Sequence, residues 1–262
     1  MGSQRIKEKI EELLTYGKPR LFFIHIPKTG GISIDRAISR HYPASYFKVE
    51  AATSLQATKA VLNQDEVDFT QCLLLRENLV AYAMARNTKY IVGHVPFSEN
   101  LIHAFKGSYT YATVLRDPVK RFVSHYYFNY HKDEDHCRTH QSLEDYLESE
   151  QGISAGYQYV KYIGGISKDG DYSSKAAIER AKQNIPKLHL LGFLEDLSKF
   201  KLDFFHKTRI RLSIPHKNKR KGPNQYSELD QRVLEKIKAV CQPDIELYEY
   251  AQRVRSSVHG HK

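Results

Sequence analysis

The chain has 262 residues, of which 41% are hydrophobic, so it is long enough to bury a sizeable core. Its three cysteines are too few for a disulfide framework, and no apolar run approaches the roughly 20 residues that span a bilayer. A formal net charge of +10 favours anionic partners: a phosphorylated cofactor, an acidic polymer, nucleic acid or a membrane surface. Charge alone does not choose among them.

Predicted strands and helices alternate in the first part of the chain. Residues 4–15 have the spacing of an amphipathic helix and lack the apolar core of a secretory signal. The segment RLFFIHI (20–26) predicts a strand that is apolar on both faces, and GISIDRAISRHY (31–42) predicts a helix. KYIVGHVPF (89–97) then predicts a strand that ends in a loop.

The alternation continues to the end of the chain. Residues 109–115 predict a strand, after which Pro118 begins a helix, where its missing N–H costs nothing. The polar stretch 131–175 predicts short helices and loops, and LHLLGFLEDLSKF (188–200) predicts a strand followed by a helix. This order predicts one domain over 1–262 with a doubly wound α/β sheet, whose ligands bind at the carboxyl ends of the strands.

The first strand is followed by PKTGG (27–31), which has the composition of an anion-binding loop. Gly30 and Gly31 let backbone N–H groups approach a ligand, and the next helix directs its positive dipole end to the same point. Thr29 and Ser33 add hydroxyl donors, and Lys28 adds a positive charge. The alternative is a tight strand-to-helix turn with an exposed lysine. Because the lysine precedes the glycines, the loop differs from a Walker A motif, which disfavours an ordinary ATPase or kinase.

A second predicted anion-binding element contains Arg116 at the end of its strand and Ser124 eight residues later. A turn and two helical turns separate them, so both side chains can reach one phosphate group. Arginine pairs bidentately with phosphate oxygens, and serine adds a short donor. The alternative is a surface ion pair between Arg116 and Asp117.

These motifs resemble those of a known family. PKTGG resembles the 5′-phosphosulfate loop of sulfotransferases that use 3′-phosphoadenosine 5′-phosphosulfate (PAPS), and VLRDPVKRFVSHYYF resembles their 3′-phosphate-binding element. With GHVPF, the set is similar to the heparan sulfate and uronyl 2-O-sulfotransferases. The resemblance is dense from about residue 20 to 130. It implies the sulfotransferase fold, in which a parallel sheet like that of P-loop NTPases is flanked by helices.

The resemblance also implies an activity and its residues. The chain would transfer a sulfuryl group from PAPS to an acceptor hydroxyl on a carbohydrate, with acidic carbohydrates among the candidates, releasing 3′-phosphoadenosine 5′-phosphate (PAP) without a metal. In KNKRKGPN, the basic residues resemble the family's loop that closes over the nucleotide phosphate. The predicted cofactor-binding residues are Lys28, Thr29, Gly30, Gly31, Ser33, Arg116, Ser124, Lys219, Arg220 and Lys221.

His94 is the predicted general base. It follows a predicted strand, where the ligand should lie, and the family's base occupies this Gly-His position. An imidazole with a pKa near the working pH suits removal of the acceptor's proton, and the Lys28 ammonium suits neutralisation of the departing oxygen. His25, which alternates within the first strand, is interpreted as a core or hydrogen-bonded residue.

Several alternatives stay open. His136 and His140 would share a helix face at a spacing that can bind zinc, but no second ligand pair accompanies them. A kinase-like phosphotransferase and a non-catalytic binder of an acidic polymer are the competing functions; no RNA-binding signature is present. Animal members of the resembling branch carry a Golgi anchor. The sequence therefore suggests either a bacterial-type cytosolic enzyme or a Golgi-lumenal enzyme whose anchor lies outside this sequence.

Overall fold

A five-stranded, wholly parallel sheet forms the centre of the molecule. The computed structural model describes residues 16–133, 137–167, 170–214, 226 and 229–259. The strand order is β2-β3-β1-β4-β5, and every neighbouring pair is parallel. The strands are β1 (Leu21–Ile24), β2 (Tyr46–Val49), β3 (Tyr90–Gly93), β4 (Thr110–Leu115) and β5 (Leu190–Phe193). The predicted parallel α/β fold is confirmed.

Helices connect the strands and cover both faces of the sheet. Before β4 they are α1 (Gly31–Ser39), α2 (Ala51–Leu62), α3 (Phe69–Ala85) and α4 (Glu99–Ala104). Between β4 and β5 they are α5 (Pro118–Tyr130), α6 (Leu143–Glu148), α7 (Glu150–Ala155), α8 (Gln158–Gly164) and α9 (Lys175–Asn184). After β5 they are α10 (Leu197–Thr208), α11 (Gln231–Val240) and α12 (Gln242–His259). Short 3₁₀ turns cover Ile185–Lys187 and Leu194–Asp196.

The central strand shows why the apolar run at its position is continuous. Phe22 and Ile24 belong to a core cluster on one face of the sheet, whereas Leu21 and Phe23 belong to a cluster on the other. All four side chains are completely buried. A strand covered on both faces needs apolar residues at every position, because successive side chains point to opposite faces.

Described residues of the stretch 131–175 contribute side chains to the core. The stretch contains α6, α7 and α8, as the prediction of short helices required. Tyr146, Tyr159 and Ile163 are fully buried, and the carboxylate of Asp244 on α12 accepts the N–H groups of Tyr159 (2.8 Å) and Val160 (3.1 Å). The first turn of α8 is therefore fixed by a residue more than 80 positions later in the chain.

The structure differs from the sequence predictions in a few places. The first strand covers 21–24 rather than 20–26, and α1 ends at Ser39 rather than at residue 42. The edge strand β2 and the helices α2 and α3 were not predicted, because YFKV is largely exposed and lacks an apolar run. The predicted helix over 4–15 lies outside the described residues. No helix in the described part of the chain is both long and apolar enough to cross a membrane.

Candidate active site

The predicted anion-binding elements and the predicted base follow three adjacent strands. Residues 25–30 follow β1, His94 follows β3, and Arg116 follows β4, with β1 between the other two strands. Parallel strands present their carboxyl ends at the same edge of a sheet, so these segments meet there. The fold therefore brings together residues that are up to 91 positions apart in the chain (25 and 116).

The loop after β1 has the backbone of a tight strand-to-helix connection. Lys28 and Gly30 both have left-handed conformations, with φ of 68° and 79°. Positive φ is uncommon for a residue with a side chain, which makes Lys28 an unusual position. The Thr29 side chain is completely buried, and its hydroxyl donates to the Ile26 carbonyl at 2.9 Å. The Thr29 hydroxyl thus stabilises the loop instead of serving as the predicted ligand donor. Of the donors of Thr29, only its backbone N–H stays a candidate for contact with a ligand.

The two loop glycines are needed for different reasons. A Cβ on Gly31 would lie 2.0 Å from the His25 ring, whereas Gly30 has a φ of 79°, which disfavours any residue with a side chain. Gly31 opens α1, and the Ser33 and Ile34 N–H groups donate to the Gly30 carbonyl at 3.1 and 3.4 Å. The N–H groups of the first turn of a helix lack intrahelical acceptors, and such groups can bind an anion.

Arg116 contacts the loop directly. Its Nη1 donates to the Lys28 carbonyl at 3.3 Å, two residues before Gly30. The Asp117 carboxylate instead accepts the Lys120 N–H at 2.8 Å and caps α5, so the alternative of a surface pair with Arg116 does not describe this structure. Burial lowers the pKa of the Arg116 guanidinium from its usual value. A half-buried guanidinium beside the loop is suited to an anionic ligand.

The backbone of Arg116 is fixed by a tyrosine from α8. The hydroxyl of Tyr159 accepts the Arg116 N–H at 2.9 Å and donates to the Arg116 carbonyl. Tyr159 is fully buried, and its ring lies 5.7 Å from the guanidinium carbon of Arg121. One hydroxyl thus satisfies both backbone groups at the point where β4 ends, which sets the direction in which the Arg116 side chain leaves the sheet.

Three further predicted residues border the same region. The hydroxyls of Ser33 and Ser124 are half-buried and have no hydrogen-bond partner among the described residues. The Lys28 ammonium lies 3.8 Å from the centroid of the Phe128 ring, a cation–π contact. Phe128 follows Ser124 by one helical turn on α5. The helix that carries Ser124 therefore also contacts the loop lysine.

His94 is held by two backbone contacts. Its Nδ1 lies 2.6 Å from the His25 carbonyl, and its own carbonyl accepts Nη1 of the buried Arg76 at 3.1 Å. A carbonyl oxygen only accepts, so we assign the proton to Nδ1, which leaves Nε2 with a free lone pair. Nε2 is therefore the nitrogen able to accept a proton. Gly93 is needed for strand packing, because a Cβ added at this position would lie 2.7 Å from the Val49 Cβ.

The surroundings of His94 keep its imidazole neutral. Its pKa is lowered to about 4, chiefly by burial, with the positive charges of Arg76 and Lys48 acting in the same direction and the hydrogen bond to the His25 carbonyl opposing the shift. This pKa lies below the value near the working pH that was expected of the base from the sequence. The pKa of His25 is also lowered, chiefly by burial. His25 is 8% exposed, and its ring centroid lies 4.4 Å from that of His94. The prediction that His25 is a core residue is confirmed.

Some predicted residues are not brought into this region. Lys219, Arg220 and Lys221 lie outside the described residues, as does His136. Residues 137–141 are not helical, so His140 does not lie on the helix face that the zinc alternative required. Within the described ranges, no group of three or more His, Cys, Asp or Glu side chains is placed to hold a metal ion.

Tyr159, Arg76 and Phe128 were not predicted from the sequence. Arg76 gave a weak signal as a single arginine within the apolar part of α3, where its side chain donates to Ser54 Oγ (2.8 Å) and the Ala51 carbonyl (3.2 Å). Tyr159 gave no signal in the sequence, because it lies 43 positions from Arg116 and the two meet only in the folded structure.

Replacing Tyr159 with phenylalanine is expected to weaken binding of PAP, the nucleotide that the sequence resemblance implies. The change leaves the partly buried backbone N–H and carbonyl of Arg116 without their tyrosine partner, which costs up to about 1–3 kcal/mol of stability. Isothermal titration with PAP should show a dissociation constant raised several-fold. Tyr111→Phe is the matched control, because the Tyr111 hydroxyl is buried without a hydrogen-bond partner among the described residues. Equal affinity in both variants would show that Arg116 does not depend on Tyr159.

The fold and site together define an α/β protein with a wholly parallel sheet and a glycine-containing strand-to-helix loop at the carboxyl end of its central strand. The sequence profile of the sulfotransferase family matches residues 11–251, and the chain belongs to that family. The match supports sulfuryl transfer as the reaction of this enzyme. A search of curated proteins found no significant match to the chain.

Proposed function

We propose that the protein transfers the sulfuryl group of PAPS to a hydroxyl of a carbohydrate acceptor, with His94 as general base. The observation that carries this proposal is the convergence on one loop. Arg116 donates to the Lys28 carbonyl, and His94 donates to the His25 carbonyl. An anion-binding side chain and a proton acceptor thus flank the same strand-to-helix connection.

The chain's residues fit the two ends of such a nucleotide. The N–H groups at the start of α1, the Ser33 hydroxyl and the Lys28 ammonium suit the 5′-phosphosulfate. Arg116 and the Ser124 hydroxyl suit the 3′-phosphate. Gly31 supports this assignment, because its close packing on His25 leaves no room for a side chain. When bound, PAPS would supply the sulfuryl group, and PAP would leave.

The chemistry divides between two side chains. His94 Nε2 accepts the proton of the acceptor hydroxyl as that oxygen forms its bond to sulfur. The Lys28 ammonium offsets the negative charge that develops on the phosphate oxygen when the old sulfur–oxygen bond breaks. To do so it leaves the Phe128 ring, 3.8 Å away, for the bound nucleotide. No covalent enzyme intermediate is required.

A thermal-shift measurement tests the donor. At about 100 times its dissociation constant, PAP is expected to stabilise the fold by about 2.7 kcal/mol, which raises Tm by about 5–10 °C in a chain of this size. Adenosine 5′-monophosphate, which lacks the 3′-phosphate, is the matched ligand and should raise Tm much less. An equal or larger shift with ATP and magnesium would favour the kinase-like alternative.

The acceptor is proposed from the resemblance of GHVPF and its neighbouring motifs to the carbohydrate 2-O-sulfotransferases. Screening oligosaccharides, small alcohols and lipids with labelled PAPS would identify it. Label transferred only to a lipid or a small alcohol would contradict the carbohydrate proposal and leave the donor proposal intact. Polymer binding that depends steeply on salt and is unchanged in Lys28 and His94 variants would favour the non-catalytic alternative.

A further inference from the structure

A cavity of about 150 Å³ lies between the start of α3 and the start of α8, away from the anion-binding loop. Cavities of about this volume accept a single benzene-sized ring. Its lining combines aromatic rings, polar groups and one lysine. The lining residues are Asp68, Phe69, Thr70, Leu73, Ser154, Tyr157, Lys161, Gly170 and Tyr172.

Lys161 is the unusual member of this lining. The residue is only 7% exposed, yet it forms no ion pair within the described part of the chain. Its ammonium donates to Ser154 Oγ at 3.3 Å and lies between 5.1 and 5.9 Å from three ring centroids, those of Phe69, Tyr157 and Tyr172. Burial lowers its pKa to about 8, and the more distant carboxylates of Asp244 and Asp68 oppose this shift. A buried ammonium with one neutral hydrogen bond retains donors for an anion.

The polar rim of the cavity suits hydroxyl groups. Asp68 caps α3 by accepting the Thr70 N–H at 3.1 Å, and its exposed carboxylate can accept further hydrogen bonds. The Ser154 hydroxyl lies beside the lysine. Aromatic walls pack against the flat or C–H face of a ring, whereas the lysine requires a negative substituent.

Two side chains connect this cavity to the candidate active site. The Phe69 ring lies 5.4 Å from the Lys161 ammonium and also 5.4 Å from the Arg76 guanidinium carbon. Arg76 in turn donates to the His94 carbonyl. The cavity is thus separated from the backbone of the proposed base by one ring and one guanidinium.

We propose that this cavity is a binding site for a carboxylate carried on a single ring, with Lys161 pairing the carboxylate. The ring would contact Phe69, Tyr157 and Tyr172, and ring hydroxyls would reach Asp68 and Ser154. Such a group could belong to the acceptor or to a free small acid. Only its connection to the acceptor depends on the proposed function; the binding site itself does not.

The test compares charged and neutral probes on the whole chain. Glucuronate and benzoate should bind, whereas glucose and benzyl alcohol should bind at least about tenfold more weakly, because a charged hydrogen bond contributes about 1.5–3 kcal/mol. Titration calorimetry or ligand-observed NMR measures each affinity. Tighter binding of glucuronate than of benzoate would identify the ligand as a sugar acid. Tighter binding of benzoate would identify it as a planar aromatic acid. No binding by either acid, or equal binding of acids and neutral analogues, would overturn the proposal.

A matched pair of variants locates the site. Lys161→Met keeps the length and apolar stem of the side chain and should weaken binding of both acids at least about tenfold. Lys182→Met, which removes a lysine paired with Glu179 and Glu246, should leave it unchanged. The affinity for PAP should be unchanged in both variants. A negative result for acid binding is therefore distinguishable from a negative result for PAPS as the donor. Unchanged acid binding in Lys161→Met would overturn the assignment of the site.

If the ring carboxylate that binds this cavity is part of the acceptor, a free acid in the cavity should inhibit the enzyme. Free glucuronate or benzoate should then compete with the acceptor for wild-type enzyme and not with PAPS. Inhibition absent at concentrations that saturate the cavity would assign the site to a free small acid.

Discussion

His94→Ala is expected to lower kcat by about 10²- to 10⁴-fold, the usual contribution of a positioned general base, while PAP affinity is unchanged. Alanine removes the Nε2 lone pair that we assign to the acceptor's proton. Single-turnover transfer of label from PAPS and titration of PAP would measure the two quantities separately. Loss of PAP binding together with activity would mean that His94 has a structural role.

His94→Asn separates these roles further. The asparagine amide can replace Nδ1 as donor to the His25 carbonyl, so the contact of 2.6 Å in the wild type is retained while the base is removed. We expect the asparagine variant to be as inactive as the alanine variant and as stable as the wild type. Recovery of activity in the asparagine variant would contradict the assignment. His103→Ala, at an exposed position on α4, is the control for histidine removal.

The pH dependence gives a second readout for the same residue. Because the folded-state pKa of His94 is lowered to about 4, the base is deprotonated above that pH, and kcat/KM should fall only as the pH drops through about 4. The negative charge of a bound nucleotide favours the imidazolium, so the acid limb of kcat should lie at a higher pH than that of kcat/KM. The acid limb of kcat/KM should be absent from the residual activity of His94→Asn.

Arg116→Ala is expected to weaken PAP binding by about 10- to 100-fold, equivalent to the 1.5–3 kcal/mol of a charged hydrogen bond. The guanidinium donates to the Lys28 carbonyl and lies where we place the 3′-phosphate. Titration calorimetry with PAP and with adenosine 5′-monophosphate distinguishes support of the loop by Arg116 from a direct contact with the 3′-phosphate. Loss of affinity confined to PAP would assign Arg116 to the 3′-phosphate.

Equal loss for both nucleotides would instead show that Arg116 acts by supporting the loop. Arg116→Lys keeps the charge without the planar fork and should fall between the wild type and Arg116→Ala. Arg86→Ala, at the exposed carboxyl end of α3, is the control for arginine removal and should bind PAP normally. An unchanged PAP dissociation constant in Arg116→Ala would contradict the assignment.

The sequence by itself determined the parallel sheet and the position of the glycine-containing loop after β1. The run LFFI is apolar at every position because both faces of β1 are covered, and this pattern can be read without tertiary information. The glycines and the following helix are local features as well, since a strand, a loop and the helix it begins are consecutive in the chain. Arg116 and Ser124 were proposed from the same kind of local pattern, a strand followed by a turn and a helix, and their ligand role stays a prediction.

Only the tertiary structure decided how these segments meet and what supports them. Tyr159 fixes Arg116 from α8, Asp244 fixes α8 from the last helix, and Phe69 separates Lys161 from Arg76. Tyr159 and Arg116, Asp244 and Tyr159, and Phe69 and Lys161 are dozens of residues apart in the chain, and each contact depends on position in space. The Thr29 hydroxyl shows the same limit: its residue type predicted a ligand donor, whereas the folded loop directs it to the Ile26 carbonyl.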